Sequence, residues 1–170
     1  MRKTEFDKEM SPEPRQRKSK TAAEALQSLM RLCARAEKST GDARRLMRSW
    51  GVAEAEQQGV VDRLVALRFI DNSRYAEAYV REKSDLAGWG PRKIAMQLRA
   101  KGVERDIVER ALTTLDDDSQ LKRLTERLQR KMRTTKAAND YELRGKLLRY
   151  AMSLGYDYEL AKELTDKIVE

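Results

Sequence analysis

The side chains best placed to do chemistry in this sequence are arginines and lysines, gathered in two short stretches. The first stretch, GWGPRKIAMQLRAKGV, spans residues 88–103 and carries Arg92, Lys93, Arg99 and Lys101. Pro suits the first helical turn and Gly suits the residue that ends a helix, so this stretch predicts a short, framed helix. Arg92, Met96 and Arg99 then lie at i, i+4 and i+7, opposite the apolar residues. This ridge could bind phosphates or carboxylates.

The second stretch lies between Gln120 and Lys136, where seven basic residues face one acid, Glu126. The cations are Lys122, Arg123, Arg127, Arg130, Lys131, Arg133 and Lys136. Helical spacing places Arg123, Arg127 and Arg130 opposite a stripe of leucines, and this predicts a second outward ridge. A solvated face is the alternative, but such a face ordinarily mixes its signs. The stretch therefore favours a binding role.

Enzymatic chemistry is disfavoured by the residue types. The chain has no histidine and a single cysteine, Cys33, which removes the usual zinc sites and most nucleophile–base pairs. Helical spacing places Cys33 on an apolar face and predicts a buried small hydrophobe. No glycine pattern would cradle a nucleotide's phosphates, and the acidic run 116–118 is explained by a helix start. We expect neither enzymatic activity nor a cofactor.

Aromatic residues beside the cations have two interpretations. Trp89 lies between glycines, where it could contact a partner or pack over the Pro91 turn. Tyr79 follows the apolar period and is predicted to be a core residue. Trp50 precedes a glycine and is predicted to pack at a helix end.

Composition indicates the class of partner. The 170 residues carry a formal net charge of +8 with a pI near 9.6, which favours nucleic acid or an acidic protein surface. No stretch approaches the about 20 apolar residues of a membrane span, and the start has no secretory pattern. We expect a cytoplasmic protein with no membrane contact.

Apolar residues recur at helical spacing and predict an all-α protein. Gly51, Gly102 and Gly155 are 51 and 53 residues apart, and an apolar residue follows each of them. The fold class is therefore predicted to be an elongated array of three tandem three-helix repeats. The predicted helices are 22–37, 40–50, 53–68, 72–86, 91–101, 104–115, 119–133, 141–154 and 157–169. The predicted domains are 21–70, 71–115 and 116–170, preceded by a disordered arm over 1–20.

A helix-turn-helix reader of DNA is a poor fit to this pattern. Its last helix would need Arg, Lys, Asn or Gln near its start. The third helices of the three repeats instead begin with acidic residues such as Glu54, Asp106 and Glu159. These would place carboxylates against phosphates.

The stretch from Ile70 to Val103 resembles a known family. It has an Asp before an Arg-aromatic-Ala-Glu-Ala-aromatic-Val-Arg helix, then Gly-Pro, then a basic helix closing on Lys-Gly-Val. Segments 34–39 and 64–70 fit the first repeat, and segments 146–150 and 154–156 fit the third. Over about 22–168 the chain resembles the RecX family of regulators of the RecA recombinase.

This resemblance implies a non-enzymatic, cytoplasmic protein that binds RecA filaments on single-stranded DNA. Family members are understood to lie in the helical groove of the filament and to restrain ATP hydrolysis and strand exchange. They thereby regulate recombination, DNA repair and the SOS response. We expect a monomer with weaker contact to duplex DNA. Two alternatives stay open, a DNA-binding helical regulator that acts without RecA and a helical-repeat adaptor.

The predicted contact residues come from two repeats, whose ridges are expected to bridge neighbouring subunits of the filament. In the second repeat they are Arg74, Arg81, Lys83, Trp89, Arg92, Lys93, Arg99 and Lys101. In the third they are Arg123, Arg127, Arg130, Lys131 and Arg133. Arg74 and Arg81 could equally be ion-pair partners of Glu77 or Asp85.

Overall fold

The chain folds into three consecutive three-helix units. The computed structural model describes residues 19–169, and this range forms nine α-helices and no strand. Unit 1 consists of α1 (Ala22–Cys33), α2 (Thr40–Ser49) and α3 (Glu54–Ala66). Unit 2 consists of α4 (Asn72–Asp85), α5 (Pro91–Ala100) and α6 (Arg105–Leu112). Unit 3 consists of α7 (Asp117–Thr134), α8 (Asp140–Ser153) and α9 (Tyr158–Ile168). The predicted all-α array of three-helix repeats is confirmed.

The structure does not test two other predictions about the organisation of the chain. The predicted arm, 1–20, lies outside the described residues except for Ser19 and Lys20. The domain boundaries at 70/71 and 115/116 stay predictions.

Side-chain caps start most of the helices. Thr21 and Ser39 each form a reciprocal capping box at the beginning of α1 and α2. The Asp116 carboxylate accepts the Ser119 N–H at 2.8 Å, so the predicted helix start in the acidic run is confirmed. Pro91 occupies the first turn of α5, as its missing N–H predicts.

Helix ends are less well predicted. The α1 helix was expected to run to residue 37 but ends at Cys33, because residues 34–37 are exposed and have no apolar face to pack. The α6 helix ends at Leu112 rather than at 115, and α7 begins two residues before the predicted 119 because Asp116 caps it. Cys33 is half-buried against the unit 1 core rather than fully buried.

The same glycine turn joins the second and third helix of every unit. Gly51, Gly102 and Gly155 have φ values of 71°, 74° and 90°, in the left-handed region. In each turn the residue after the glycine donates its N–H to the carbonyl four residues before the glycine, at 3.0, 3.1 and 3.4 Å. Each turn is therefore a Schellman motif that ends one helix and sets the direction of the next.

Each unit encloses its own apolar core. Among the fully buried side chains are Leu29, Met47, Leu64, Ile94, Leu98, Val108, Leu124, Leu128 and Leu147. Burial of one such side chain stabilises the fold by about 2 kcal/mol. Trp89 packs against the cores of both unit 2 and unit 3, which joins these two units.

The first turn of the middle helix of one unit docks on the glycine turn of the next. Between units 1 and 2, the Gly41 N–H donates to the Lys101 carbonyl at 3.1 Å. Between units 2 and 3, the Gly90 N–H donates to the Leu154 carbonyl at 2.8 Å. No ion pair or hydrogen bond within 19–169 joins unit 1 to unit 3. Within this range, hydrogen bonds and ion pairs therefore join only units that are neighbours in sequence.

The segment before α1 makes the equivalent contact on unit 1. Lys20 donates its N–H to the Trp50 carbonyl at 2.9 Å. Trp50 precedes its turn glycine, as Lys101 and Leu154 precede theirs. The Lys20 ammonium also lies 3.9 Å from the centroid of the Trp50 ring. Lys20 thus occupies the position that a preceding unit would take.

Two substitutions separate these contacts. Lys20→Ala keeps the N–H but removes the cation–π contact and the Nζ hydrogen bond to Ser28, and should lower the free energy of unfolding by about 1 kcal/mol. Lys20→Pro also removes the N–H, and should cost about 1 kcal/mol more. Urea unfolding followed by circular dichroism measures the difference. Equal stabilities of the two variants would show that the backbone bond contributes nothing.

Candidate partner-binding surface

Two stacked tyrosines form the centre of a charged surface on unit 2. The ring centroids of Tyr75 and Tyr79 lie 5.8 Å apart with an interplanar angle of 25°. Lys101 Nζ is 5.9 Å from each of the two centroids. Both tyrosines are buried, which confirms the prediction for Tyr79. Their ring faces nevertheless reach the surface that the lysine covers.

Trp89 continues the same surface. Lys83 Nζ lies 5.2 Å from the centroid of Tyr79 and 5.7 Å from that of Trp89. Lys93 Nζ lies 4.6 Å from the Trp89 centroid. We call these residues the cation–aromatic row, in the order Lys101, Tyr75, Tyr79, Lys83, Trp89 and Lys93. Four of its members, Lys83, Trp89, Lys93 and Lys101, were predicted contact residues, and the structure brings them together.

Helical spacing explains why the row forms. Tyr75, Tyr79 and Lys83 follow one another at intervals of four along α4, so they share one side of that helix. Lys93 and Lys101 are eight residues apart on α5 and at its end, and they also share a side. Tyr75 was not among the residues predicted to contact a partner. The four-residue spacing up to Lys83 is the signal that could have found it.

A buried carboxylate anchors the Lys101 end of the row. Asp42 is 7% exposed and accepts the Ser39 N–H at 3.3 Å. Lys101 Nζ lies 3.4 Å from its Oδ1, and Arg45 contacts the same atom. Burial raises the pKa of Asp42, but the Ser39 hydrogen bond and the Lys101 charge outweigh it and the pKa is lowered. Asp42 therefore remains ionised and fixes Lys101 in place.

The neighbouring groups in the row also have shifted pKa values. Burial raises the pKa of the Tyr75 and Tyr79 hydroxyls, so both stay protonated. The hydrogen bond to Glu82 raises the pKa of Lys83. Lys83 thus keeps its positive charge beside the Tyr79 and Trp89 rings throughout the neutral range. Such a surface can contact phosphate or carboxylate groups, but within 19–169 no cluster of side chains could hold a metal ion.

Six of the predicted contact residues have carboxylate partners inside the molecule. They are Arg74, Lys83, Arg92, Lys101, Arg123 and Arg130. Arg74 pairs with Glu37 of unit 1 at 2.6 Å, so the alternative partners Glu77 and Asp85 are wrong for this residue. Arg92 pairs with Asp157 of unit 3 at 2.5 Å. These two arginines join adjacent units.

The predicted outward ridge on α7 is wrong for two of its three arginines. Arg123 lies 2.6 Å from Asp85 and donates to the buried Ser84 hydroxyl at 2.9 Å. Arg127 donates to the Leu86 carbonyl at 3.3 Å and packs where Gly88 has no side chain. Both arginines point toward unit 2 because it offers these acceptors. Only Arg130 of the three is exposed, and it pairs with Glu126 at 3.5 Å.

Four predicted contact residues are exposed and form no ion pair with the described residues. They are Arg81, Arg99, Lys131 and Arg133. Lys131 Nζ lies 5.4 Å from the Tyr150 ring centroid on α8. Lys93 is half-buried and donates to the Ser153 carbonyl at 3.0 Å. Among the predicted contact residues, the most available cations therefore lie on unit 2 and at the C-terminal end of α7.

The comparisons with known proteins agree with the three-unit organisation. Residues 71–112 match the family model described as RecX, second three-helix domain. Residues 117–164 match the model described as RecX, third three-helix domain. Within 19–169, no helix is both long enough and apolar enough to cross a bilayer.

Curated relatives carry the same family name. The regulatory protein RecX of Mycolicibacterium smegmatis is 29% identical over 163 residues, which cover 93% of this chain and 84% of that protein. The regulatory protein RecX of Clostridium botulinum is 29% identical over 111 residues, or 64% of this chain. That match spans 51% of the Clostridium protein, about half its length.

Two solved structures share the fold. The crystal structure of RecX from Lactobacillus salivarius has a TM-score of 0.69 at 20% identity, covering 86% of this chain and 96% of that one. A second crystal structure, of a regulatory protein RecX, has a TM-score of 0.78 at 19% identity. It covers 85% of this chain and 73% of its own.

Proposed function

Because the chain belongs to the RecX family, we propose that it is a non-enzymatic regulator that binds RecA filaments on single-stranded DNA. It restrains their ATP hydrolysis and strand exchange. The cation–aromatic row carries this proposal, since it lies within residues 71–112, the segment that matches the second family domain. A filament of protein on DNA presents both carboxylates and phosphates, and three fixed ammonium groups can bind either.

Two separate positively charged areas suit a partner that is built of repeated identical subunits, such as a filament. The row lies on unit 2, and Lys131 and Arg133 lie at the end of α7 on unit 3. Once one area is bound, the second binds at a high effective concentration. A molecule that contacts two protomers in this way resists the rearrangements of the ATP cycle. This tethering is the mechanism that we propose for inhibition.

An ATPase titration tests the proposal. The protein is added to RecA on single-stranded DNA, and phosphate release is measured. We expect hydrolysis to slow while the protein is far scarcer than the DNA sites, because each bound molecule tethers more than one protomer.

The same titration distinguishes the alternatives. Full recovery of the rate on addition of excess single-stranded DNA would favour the second candidate, a DNA-binding regulator that acts without RecA. An unchanged rate at every concentration would contradict both candidates and favour an adaptor.

A further inference from the structure

The buried carboxylate of Asp42 has two cations beside it, although its charge requires only one. Arg45, on the same helix, contacts its Oδ1, and Lys101 Nζ of unit 2 lies 3.4 Å from the same atom. The other oxygen, Oδ2, accepts the Ser39 N–H at 3.3 Å. A buried carboxylate that loses its counter-charge strongly destabilises a fold. Here either cation can supply that counter-charge, so one of them is free to leave.

Lys101 is the cation that can leave. Its distance from Asp42 is longer than a typical N–H···O hydrogen bond, and Arg45 makes the closer contact. The backbone of Lys101 is held separately, because its carbonyl accepts the Ser39 hydroxyl at 2.7 Å and the Gly41 N–H at 3.1 Å. The ammonium group can therefore move while units 1 and 2 stay docked.

The rings of the cation–aromatic row hold the Lys101 ammonium no more tightly. Lys101 Nζ lies 5.9 Å from the centroids of both Tyr75 and Tyr79, close to the about 6 Å limit of a cation–π contact. The Lys101 side chain is also 24% exposed, so an anion from outside can reach it. A small movement would replace the long contact to Asp42 with a short contact to that anion.

We propose that Arg45 releases Lys101 from Asp42 when the row binds a carboxylate of a partner protein. The Lys101 ammonium turns to the partner's carboxylate, and Arg45 alone then neutralises Asp42. A carboxylate suits this exchange because Lys101 leaves one carboxylate for another of the same chemistry. Arg45 is a positioning residue, since it acts through Lys101. The exchange rests on the proposed function, in which the row contacts the filament, and it gives unit 1 a part in binding.

Urea unfolding without any partner tests whether the two cations can substitute for each other. Lys101→Gln should raise the unfolding equilibrium constant about threefold, because Arg45 still neutralises Asp42. In an Arg45→Gln background the same change should raise it about thirtyfold, because Asp42 is then buried without a cation. Equal increases in the two backgrounds would overturn the exchange, whether or not the protein binds RecA.

Inhibition of the RecA ATPase tests the release of Lys101. Arg45→Gln should require about tenfold more protein for half-maximal inhibition, because Asp42 then keeps Lys101 as its remaining cation. Its unfolding in urea should change little, since that pair still forms, and a weakened fold would therefore not explain the loss. The matched control is Arg48→Gln on the same helix. Arg48 is exposed and forms no ion pair within 19–169, so this variant should inhibit normally.

A second background separates release of Lys101 from direct contact by Arg45. Asp42→Asn removes the carboxylate that competes for Lys101 and keeps an oxygen that can accept the Ser39 N–H. In this background Arg45→Gln should have no further effect on inhibition, because no carboxylate is left to hold Lys101. A tenfold loss here as well would show that Arg45 contacts the partner itself, and would overturn the exchange.

Binding to labelled oligodeoxythymidine in the absence of RecA tests the assignment to a carboxylate. Arg45→Gln and the unaltered protein should bind this strand equally, because Lys101 is released to a protein anion. A tenfold weaker affinity of Arg45→Gln for the strand would assign Lys101 to a phosphate and overturn the carboxylate partner. Absence of inhibition by the unaltered protein would instead contradict the proposed function, and the unfolding measurements would still decide whether Arg45 can replace Lys101.

Discussion

Gly155→Ala is expected to lower the free energy of unfolding by about 3 kcal/mol, the largest effect on stability that we predict. The residue has a φ of 90°, which a side chain disfavours. An added Cβ would also lie 2.5 Å from the Lys93 backbone nitrogen and 2.9 Å from its Cα. Because these are backbone atoms, α5 and the unit 3 turn would have to separate.

Trp89 reports that separation directly. It packs on the cores of units 2 and 3, and the chain's other tryptophan, Trp50, is in unit 1. In a Trp50→Phe background, urea unfolding followed by fluorescence should therefore shift to lower urea for Gly155→Ala. In a repeat protein each unit is stabilised mainly by its neighbours. We therefore expect Gly155→Ala to destabilise unit 1 less than units 2 and 3.

Gly59→Ala provides the matched control. Gly59 lies within α3, and a Cβ placed there would meet nothing within 4 Å. The same substitution should then stabilise the protein by about 0.5–1 kcal/mol, because alanine favours the helix. Unfolding of Gly155→Ala at the same urea concentration as the unaltered protein would contradict the junction described here.

The fold was largely predictable because its signals are local. The turn glycines, Pro91 and the apolar period each depend on a few neighbouring residues, and the nine helices follow from them. The contacts between units were not predictable. The bond from Gly41 to the Lys101 carbonyl joins residues 60 apart, and nothing in either segment specifies the other. Such contacts depend on how whole units pack.

The candidate site was predicted only in part for the same reason. Counting charges between residues 120 and 136 finds seven cations and one acid, but the partner of Arg123 is Asp85, on another unit. A helical projection shows which side of α7 is polar. It does not show that part of the polar side faces unit 2. Local spacing on α4 aligns Lys83 with the tyrosines, and local spacing along α5 aligns Lys93 with Lys101. Trp89 lies in the short connection between these two helices.

Some of the predicted cations bond across the junction between units and others do not. Only the second kind can be replaced without disturbing the fold. Replacing Arg123 and Arg127 by glutamate would break their bonds to Ser84, Asp85 and Leu86, so lost activity would be confounded with a loosened junction. The lysines of the row are better targets. Glutamine can still donate to the Ser153 carbonyl that Lys93 contacts, while it removes the positive charge.

The double variant Lys83→Gln/Lys93→Gln is expected to require about tenfold more protein for half-maximal inhibition of the RecA ATPase. Two ammonium groups of the row are lost, and with them the attraction to filament anions. The matched control is Arg105→Gln/Arg110→Gln on α6, which removes the same net charge. Both of these arginines are exposed, and among the described residues they pair only with acids on their own helix, Glu109 and Asp106.

The control should inhibit like the unaltered protein, because surface pairs of this kind contribute little to stability and these two arginines pair with acids of α6 rather than with members of the row. If both double variants lost inhibition equally, net charge alone would explain binding, and the row would have no special role. If neither lost it, the partner must contact a different surface, with Arg81, Arg99, Lys131 and Arg133 the next residues to replace. A tenfold difference between the two variants, with equal helical spectra, would assign the filament contact to unit 2.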